Sequence, residues 1–210
     1  MRENQKVIET ILMLVGYRQE EITEHSRRVS AYTRLLLSGA EEVFPEVSLT
    51  EERKNCIAVC ALLHDLGKGA LCDCGLLQKR KPSEKEKEYY YTHTVRGEEM
   101  AETLSLLLDA DYVECLKDIC RYHHERYDGR GYPDGLLGEE IPFAAQVVGL
   151  ADAFDELVSE RFYKHAYSCN DAIGKIVHGE RGIFSSRLIG CFLRKKEELI
   201  QVVTEWESLS

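Results

Sequence analysis

An apolar run from Cys56 to Leu63 leads straight into His64-Asp65, and no other stretch constrains the fold as tightly. A run of that kind belongs in a core, so the His-Asp pair stands at the end of a core helix. An unpartnered buried carboxylate is costly, so Asp65 needs a cation close by. A salt bridge to a neighbouring side chain would meet that need alone. Gly67 reads as the residue that stops the helix, as a glycine just past a helix end does.

The rest of the chain repeats the same theme. Residues 7–15 read as a short helix in an N-terminal arm spanning 1–19, ahead of one domain over 20–210. A second helix is expected from Glu20 to Ser38, ended by Gly39, with Ile22, Val29, Tyr32 and Leu36 on its apolar stripe. His25 lies on that stripe, and Glu21, four residues earlier, shares its face. Taken alone, His25 would read as a core histidine satisfied by a carbonyl. Ser48-Leu49-Thr50-Glu51 fits a capping box and opens the helix that ends at His64-Asp65. A helix over Glu88–Leu108 puts His93, Gly97, Met100, Leu104 and Leu107 on one face. Another begins at Asp111 and ends at His123-His124. The glycines and proline of Glu125–Gly135 preclude a helix and make a shaped loop. Pro142 suits the first turn of a helix whose stripe of Ala145, Val148 and Gly149 continues to Asp152. Ser168 or Asn170, and later Ser185 or Ser186, read as caps of two further helices. No stretch sustains a period of two, so an all-α bundle is expected.

Composition excludes several classes. The net charge of -10 over 210 residues argues against a polynucleotide surface, which carries a basic footprint. It leaves room for a small anionic ligand, because bound divalent cations reverse the local field. Ile11–Val15 is too short to span a membrane. No secretory signal precedes the eight cysteines, which fall mostly at helical positions, so reduced thiols in a cytoplasm are expected. Cys72-Asp73-Cys74 lacks the spacing and the second pair of a zinc knuckle.

Spacing ties the polar residues together. His64 to His93 is 29 residues, His93 to His123 is 30, and His124 to Asp152 is 28. Each interval is one helix plus a connection, so each unit can return its polar residues to the same part of a bundle. Imidazoles gathered in a core repel when protonated and leave unmet acceptors when neutral, and metal ions resolve both problems. Five imidazoles (His25, His64, His93, His123, His124) and three carboxylates (Glu21, Asp65, Asp152) exceed what one four-coordinate zinc can use. Nitrogen and oxygen donors without a thiolate favour iron or manganese. Two ions sharing one carboxylate would turn a water between them into hydroxide able to attack phosphorus. Lys68 would neutralise phosphoryl or leaving-group charge, so hydrolysis of a phosphodiester or phosphomonoester is expected.

These residues resemble a known family. His25, His64-Asp65 and Asp152 match the H…HD…D signature of HD-domain metal phosphohydrolases. His93, His123-His124 and Arg130-Gly131-Tyr132-Pro133 are similar to the HD-GYP subfamily. The resemblance covers roughly residues 20–195. It implies an all-α HD-domain helical bundle with extra C-terminal helices and hydrolysis of cyclic di-GMP to pGpG or GMP. The alternatives it leaves are another cyclic dinucleotide or nucleotide as substrate, or a non-catalytic sensor. By the same resemblance, His25, His64, Asp65 and Asp152 hold one ion, and Asp65 bridges to a second held by His93, His123 and His124. Glu21 matches the carboxylate that some members use for a third. Arg161 and Lys164 look like phosphate or guanine contacts, and Tyr132 shapes the pocket. Phe162, the segments Gly69–Gly75 and Gln78–Pro82, and Phe184-Ser185-Ser186 depart from the family pattern at the pocket rim or in the packing around it. Members are often fused to an input module, and none fits the short N-terminal segment. Regulation is then expected from a separate protein, such as a diguanylate cyclase, from self-association as a homodimer, or from substrate supply.

Overall fold

Helices form wherever apolar residues recur at helical spacing, and among the described residues there is no β-strand. The computed structural model describes residues 2–16, 20–71, 83–160 and 165–208, without the side chains of 16 and 20–22. In chain order the helices are α1 (Arg2–Gly16), α2 (Glu20–Ala40), α3 (Glu51–Cys60), α4 (Glu84–Tyr91) and α5 (His93–Thr103). There follow α6 (Ala110–Tyr122), α7 (Phe143–Val158), α8 (Cys169–Val177), α9 (Ser186–Arg194) and α10 (Lys196–Glu207). The all-α expectation holds.

The core is built on α2 and α7. Val29, Tyr32 and Leu36 of α2 meet Leu150, Phe154 and Leu157 of α7, all buried. The rings of Tyr32 and Phe154 pack edge to face at 5.1 Å, and Phe192 of α9 continues the stack at 5.4 Å. From Ala145 to Val158 only Glu156 escapes burial, as expected of a helix that is apolar nearly all round. Asp152 and Asp155 are therefore carboxylates inside a core helix, and each must find a counter-charge. Ile8 and Leu12 join α1 to the same core. Asn4 pins α1 to the start of α6, donating to the Asp109 carboxylate at 2.6 Å and accepting from the Asp109 amide at 3.0 Å.

Several element ends differ from expectation for local reasons. The capping residue of α3 is Thr50, whose hydroxyl accepts from the Arg53 amide at 3.2 Å, while Ser48 adopts a positive φ of 53°. The α2 helix runs through Gly39 to Ala40. The single helix expected over Glu88–Leu108 is two. Ser83 and Glu86 form a capping box that starts α4 early, and the helix is interrupted at Thr92, whose hydroxyl donates to the Tyr89 carbonyl at 2.6 Å. Gly67 is not a helix stop. The α3 helix gives way at Ala61 to two tight 3₁₀ segments, Ala61–Leu63 and Leu66–Ala70, with His64 and Asp65 between them. Gly67 lies in the second, packed against the backbone of α5.

Candidate metal centre

Helix ends aim at one point in this bundle. The α2 helix contributes His25, the bend after α3 contributes His64 and Asp65, and α5 begins with His93. The end of α6 delivers His123 and His124, and α7 presents Asp152 from its middle. All of these except half-buried His124 are 8% exposed or less. The intervals of 28 to 30 residues do bring the side chains back to one place.

The cluster has two halves joined by Asp65. His25, His64 and Asp152 form one group and Asp65, His93, His123 and His124 the other, with ligating atoms within 4.8 Å inside each group. Asp65 Oδ2 lies 3.3 Å from His64 Nε2 and 3.8 Å from His25 Nε2. Its Oδ1 faces the other way, 3.5 Å from His93 Nε2 and 3.6 Å from His123 Nε2. Asp152 Oδ1 closes the first half, 3.3 Å from His25 Nε2 and 3.8 Å from His64 Nε2.

The ring orientations are set from behind. Nδ1 of His64 donates to the Ala61 carbonyl at 2.9 Å, that of His93 to Tyr90 at 2.7 Å, and that of His123 to Ile119 at 2.9 Å. A proton held on Nδ1 leaves the Nε2 lone pair pointing inward. Nε2 of His64, His93, His123 and His124, and Oδ1 of Asp65, are buried with no hydrogen-bond partner. Native interiors rarely leave such atoms orphaned, and five converging acceptors fit divalent cations.

Electrostatics agree with that fit. Burial pushes His93 down to about 3 and His124 well below its usual range, so both rings stay neutral. Burial opposes the charge on Asp65, yet Lys68 and His64 hold its carboxyl well below the carboxylate range. Burial likewise opposes ionisation of Asp152, and His25 and His64 overcome it. Neutral imidazoles and ionised carboxylates are the forms that bind cations. His25 differs: burial opposes its charge, but Asp152 and Asp155 raise it to about 9. A bound cation would supply the neutralising charge that the proton on His25 supplies here.

The comparisons with known proteins bear on the same residues. The model of the HD domain family matches residues 14–184. The cyclic di-GMP phosphodiesterase response regulator RpfG of Xanthomonas campestris is 35% identical over 182 residues, covering 86% of this chain and 47% of its own. A cyclic di-GMP phosphodiesterase of Thermotoga maritima is 34% identical over 200 residues, covering 94% and 50%. This chain belongs to the HD domain family, in its HD-GYP branch. It spans about half the length of these curated relatives. Bd1817, a HDG"Y"P protein from Bdellovibrio bacteriovorus, shares the fold at a TM-score of 0.56 with 17% identity, over 97% of this chain and 65% of that one. HD domains bind divalent metal ions. No helix among the described residues is long and apolar enough to cross a membrane.

The loop that gives the HD-GYP branch its name forms one wall beside the cluster. The Tyr132 ring stacks on His124 at 4.7 Å and on Tyr91 at 3.9 Å. Glu125, which sequence reasoning did not single out, is buried and accepts from the amides of Asp134 at 2.7 Å, Gly135 at 2.9 Å and Leu136 at 3.1 Å. A carboxylate directly after the His-His pair, ahead of a glycine-rich loop, was the available signal. Glu125→Ala is expected to cost about 3 kcal/mol, because it strands buried amides that had a charged acceptor. It should also quicken amide exchange at 134–136. Unchanged exchange there would show that the loop is held by other contacts.

Asp155 is the second residue that sequence reasoning missed. It accepts from His25 Nδ1 at 2.7 Å and from Arg28 Nε at 2.7 Å, so it fixes the ring that faces Asp152. Its position three residues after Asp152 on α7 was a legible hint. Asp155→Ala should weaken metal affinity by about 10–100-fold while every direct donor remains. Competition with a metallochromic chelator measures this, and wild-type affinity would rule out the orienting role. Glu21 lies in α2, but its side chain is outside the described residues, as are Arg161, Lys164 and the Cys72-Asp73-Cys74 stretch.

Proposed function

We propose that this chain is a metal-dependent phosphodiesterase that hydrolyses cyclic di-GMP to pGpG or GMP. The observation that carries the reading is the division of the two Asp65 oxygens between two groups of inward-facing imidazoles. In this reading His25, His64, Asp65 and Asp152 hold one ion, and Asp65, His93, His123 and His124 hold another. Iron or manganese suits a nitrogen and oxygen donor set of this kind, and Glu21 would serve a third ion. When bound, the ions supply Lewis acidity toward phosphoryl oxygens and acidify the water that attacks.

The chain's own side chains supply the rest. Lys68 pairs with Asp65 and lies 5.4 Å from the centre of the Tyr90 ring. Burial opposes its charge, but the Asp65 carboxylate raises its pKa, so Lys68 stays cationic. A cationic amine beside the cluster is suited to neutralising a phosphoryl oxygen rather than to acting as a base. Tyr132, whose ring stacks on His124 and on Tyr91, would shape the pocket at the edge of the cluster. Arg161 and Lys164 would meet phosphate or guanine. The relatives support a cyclic dinucleotide as the substrate class.

The test is turnover of cyclic di-GMP by protein loaded anaerobically with iron(II) and, separately, with manganese(II). Linear product is expected with at least one. Two bound ions per chain and no linear product with either metal would remove the reading. Faster cleavage of a different cyclic dinucleotide in a parallel panel would keep the hydrolase and change the substrate.

A further inference from the structure

Away from the imidazoles, α3 and α6 share a second cluster. Cys56 and Cys60 sit one turn apart on α3, and Cys115 faces them from α6. Their three Sγ atoms lie within 4.8 Å of one another. All three are free thiols, Cys56 and Cys60 buried and Cys115 half-buried. The Asp111 and Tyr112 carbonyls accept from Cys56 and Cys60 at 3.8 and 3.5 Å. Those contacts occupy two of the sulfurs and do not account for the third converging on them.

We propose that Cys56, Cys60 and Cys115 form a second metal site, a three-thiolate cradle for a thiophilic divalent cation of the zinc class that ties α3 to α6. A zinc–sulfur bond of about 2.3 Å places thiolates about 3.8–4.0 Å apart, so closing on the ion needs under ~1 Å of sulfur movement. Half-buried Cys115 leaves an approach from solvent, where a water can complete four-coordination. Each thiol that binds releases its proton to solvent, so three thiolates around a divalent ion carry one net negative charge. In the metal-free cluster the neighbouring thiols hold Cys56 below its usual range while Cys60 and Cys115 are held well above theirs, so a bound cation would have to displace two of the three protons itself. Sulfur donors select a softer cation than the imidazole and carboxylate centre does, so the two sites need not compete.

The placement gives the cluster a consequence. The α3 helix runs on into His64-Asp65, and α6 runs on into His123-His124. A cation held one to two turns upstream on both helices would fix their spacing where they deliver the centre's donors.

Cobalt(II) titration of the reduced full chain tests the proposal, because thiolate-to-cobalt charge transfer absorbs strongly in the near ultraviolet and a nitrogen and oxygen centre lacks that band. One thiolate-bound cobalt per chain is expected, displaced by zinc. The band should vanish in Cys115→Ser, persist in Cys169→Ser, and persist in Asp65→Asn. X-ray absorption of the wild type filled first with manganese(II) and then given one equivalent of zinc, expected to count three sulfur neighbours around zinc, decides the matter even if a cysteine variant fails to fold. Absence of the band, its survival in folded Cys115→Ser, or a disulfide joining Cys115 to α3 in the protein as isolated would overturn the site.

Discussion

Asp65→Asn is expected to lower phosphodiester turnover by at least ~10³-fold, a loss of about 4 kcal/mol of transition-state stabilisation. The substitution keeps the shape of the side chain and removes only its charge and one oxygen. Wild-type Oδ1 faces His93 and His123 at 3.5 and 3.6 Å while Oδ2 faces His64 at 3.3 Å, so both oxygens are committed. An amide can offer one oxygen to one half, and its NH₂ repels a cation in the other. Metal content measured by elemental analysis should therefore fall along with turnover. The metal-free protein should respond too, because Lys68 loses its carboxylate partner. Stranding one member of a mostly buried pair costs about 3 kcal/mol, read as a lower denaturant midpoint in chelator. A variant with a full metal complement and turnover within tenfold of wild type would refute the bridging role.

Why Asp65 was legible from sequence, when Asp155 was not, comes down to which forces act along the chain. His64-Asp65 interrupts an apolar run, and the 28 to 30 residue intervals repeat the anomaly at His93, His123 and Asp152, so periodicity alone brings them inward. Asp155 lies on the same helix as Asp152, yet its meaning comes from His25 and Arg28, 130 and 127 residues away. Helix existence followed from stripes of period 3.6, whereas the tightening of the chain at Thr92, where the amide bonds back to Tyr89 and Tyr90, left no mark on the stripe. The thiol cluster failed to show for the same reason as Asp155. Cys56 and Cys60 share a face at i, i+4, a pattern that packing explains fully until Cys115 arrives from α6. The sequence-level argument that thiolates are absent holds for the imidazole centre, whose two groups contain no sulfur, and fails one layer away.

Gly67→Ala should be as damaging to the fold as Asp65→Asn is to the chemistry. A Cβ on Gly67 would stand 1.9 Å from the His93 carbonyl oxygen and 2.5 Å from the Gly97 amide nitrogen. Both are backbone atoms of α5, so no rotamer change relieves the clash. The Leu66–Ala70 segment must retreat from α5 by roughly 1 Å, which forfeits packing on both sides of the contact. Overpacking against a fixed backbone costs about 3 kcal/mol, visible as a lower melting temperature. The same retreat pulls Asp65, two residues upstream, away from His93, so affinity for the ion shared by that pair should fall with stability. Gly174 on α8 supplies the contrast, since nothing lies within 4 Å of its added Cβ. Gly174→Ala is expected to raise stability by up to ~1 kcal/mol through helix propensity alone. If Gly67→Ala melts with the wild type, the close approach of this turn to α5 is not what holds the two halves of the centre together.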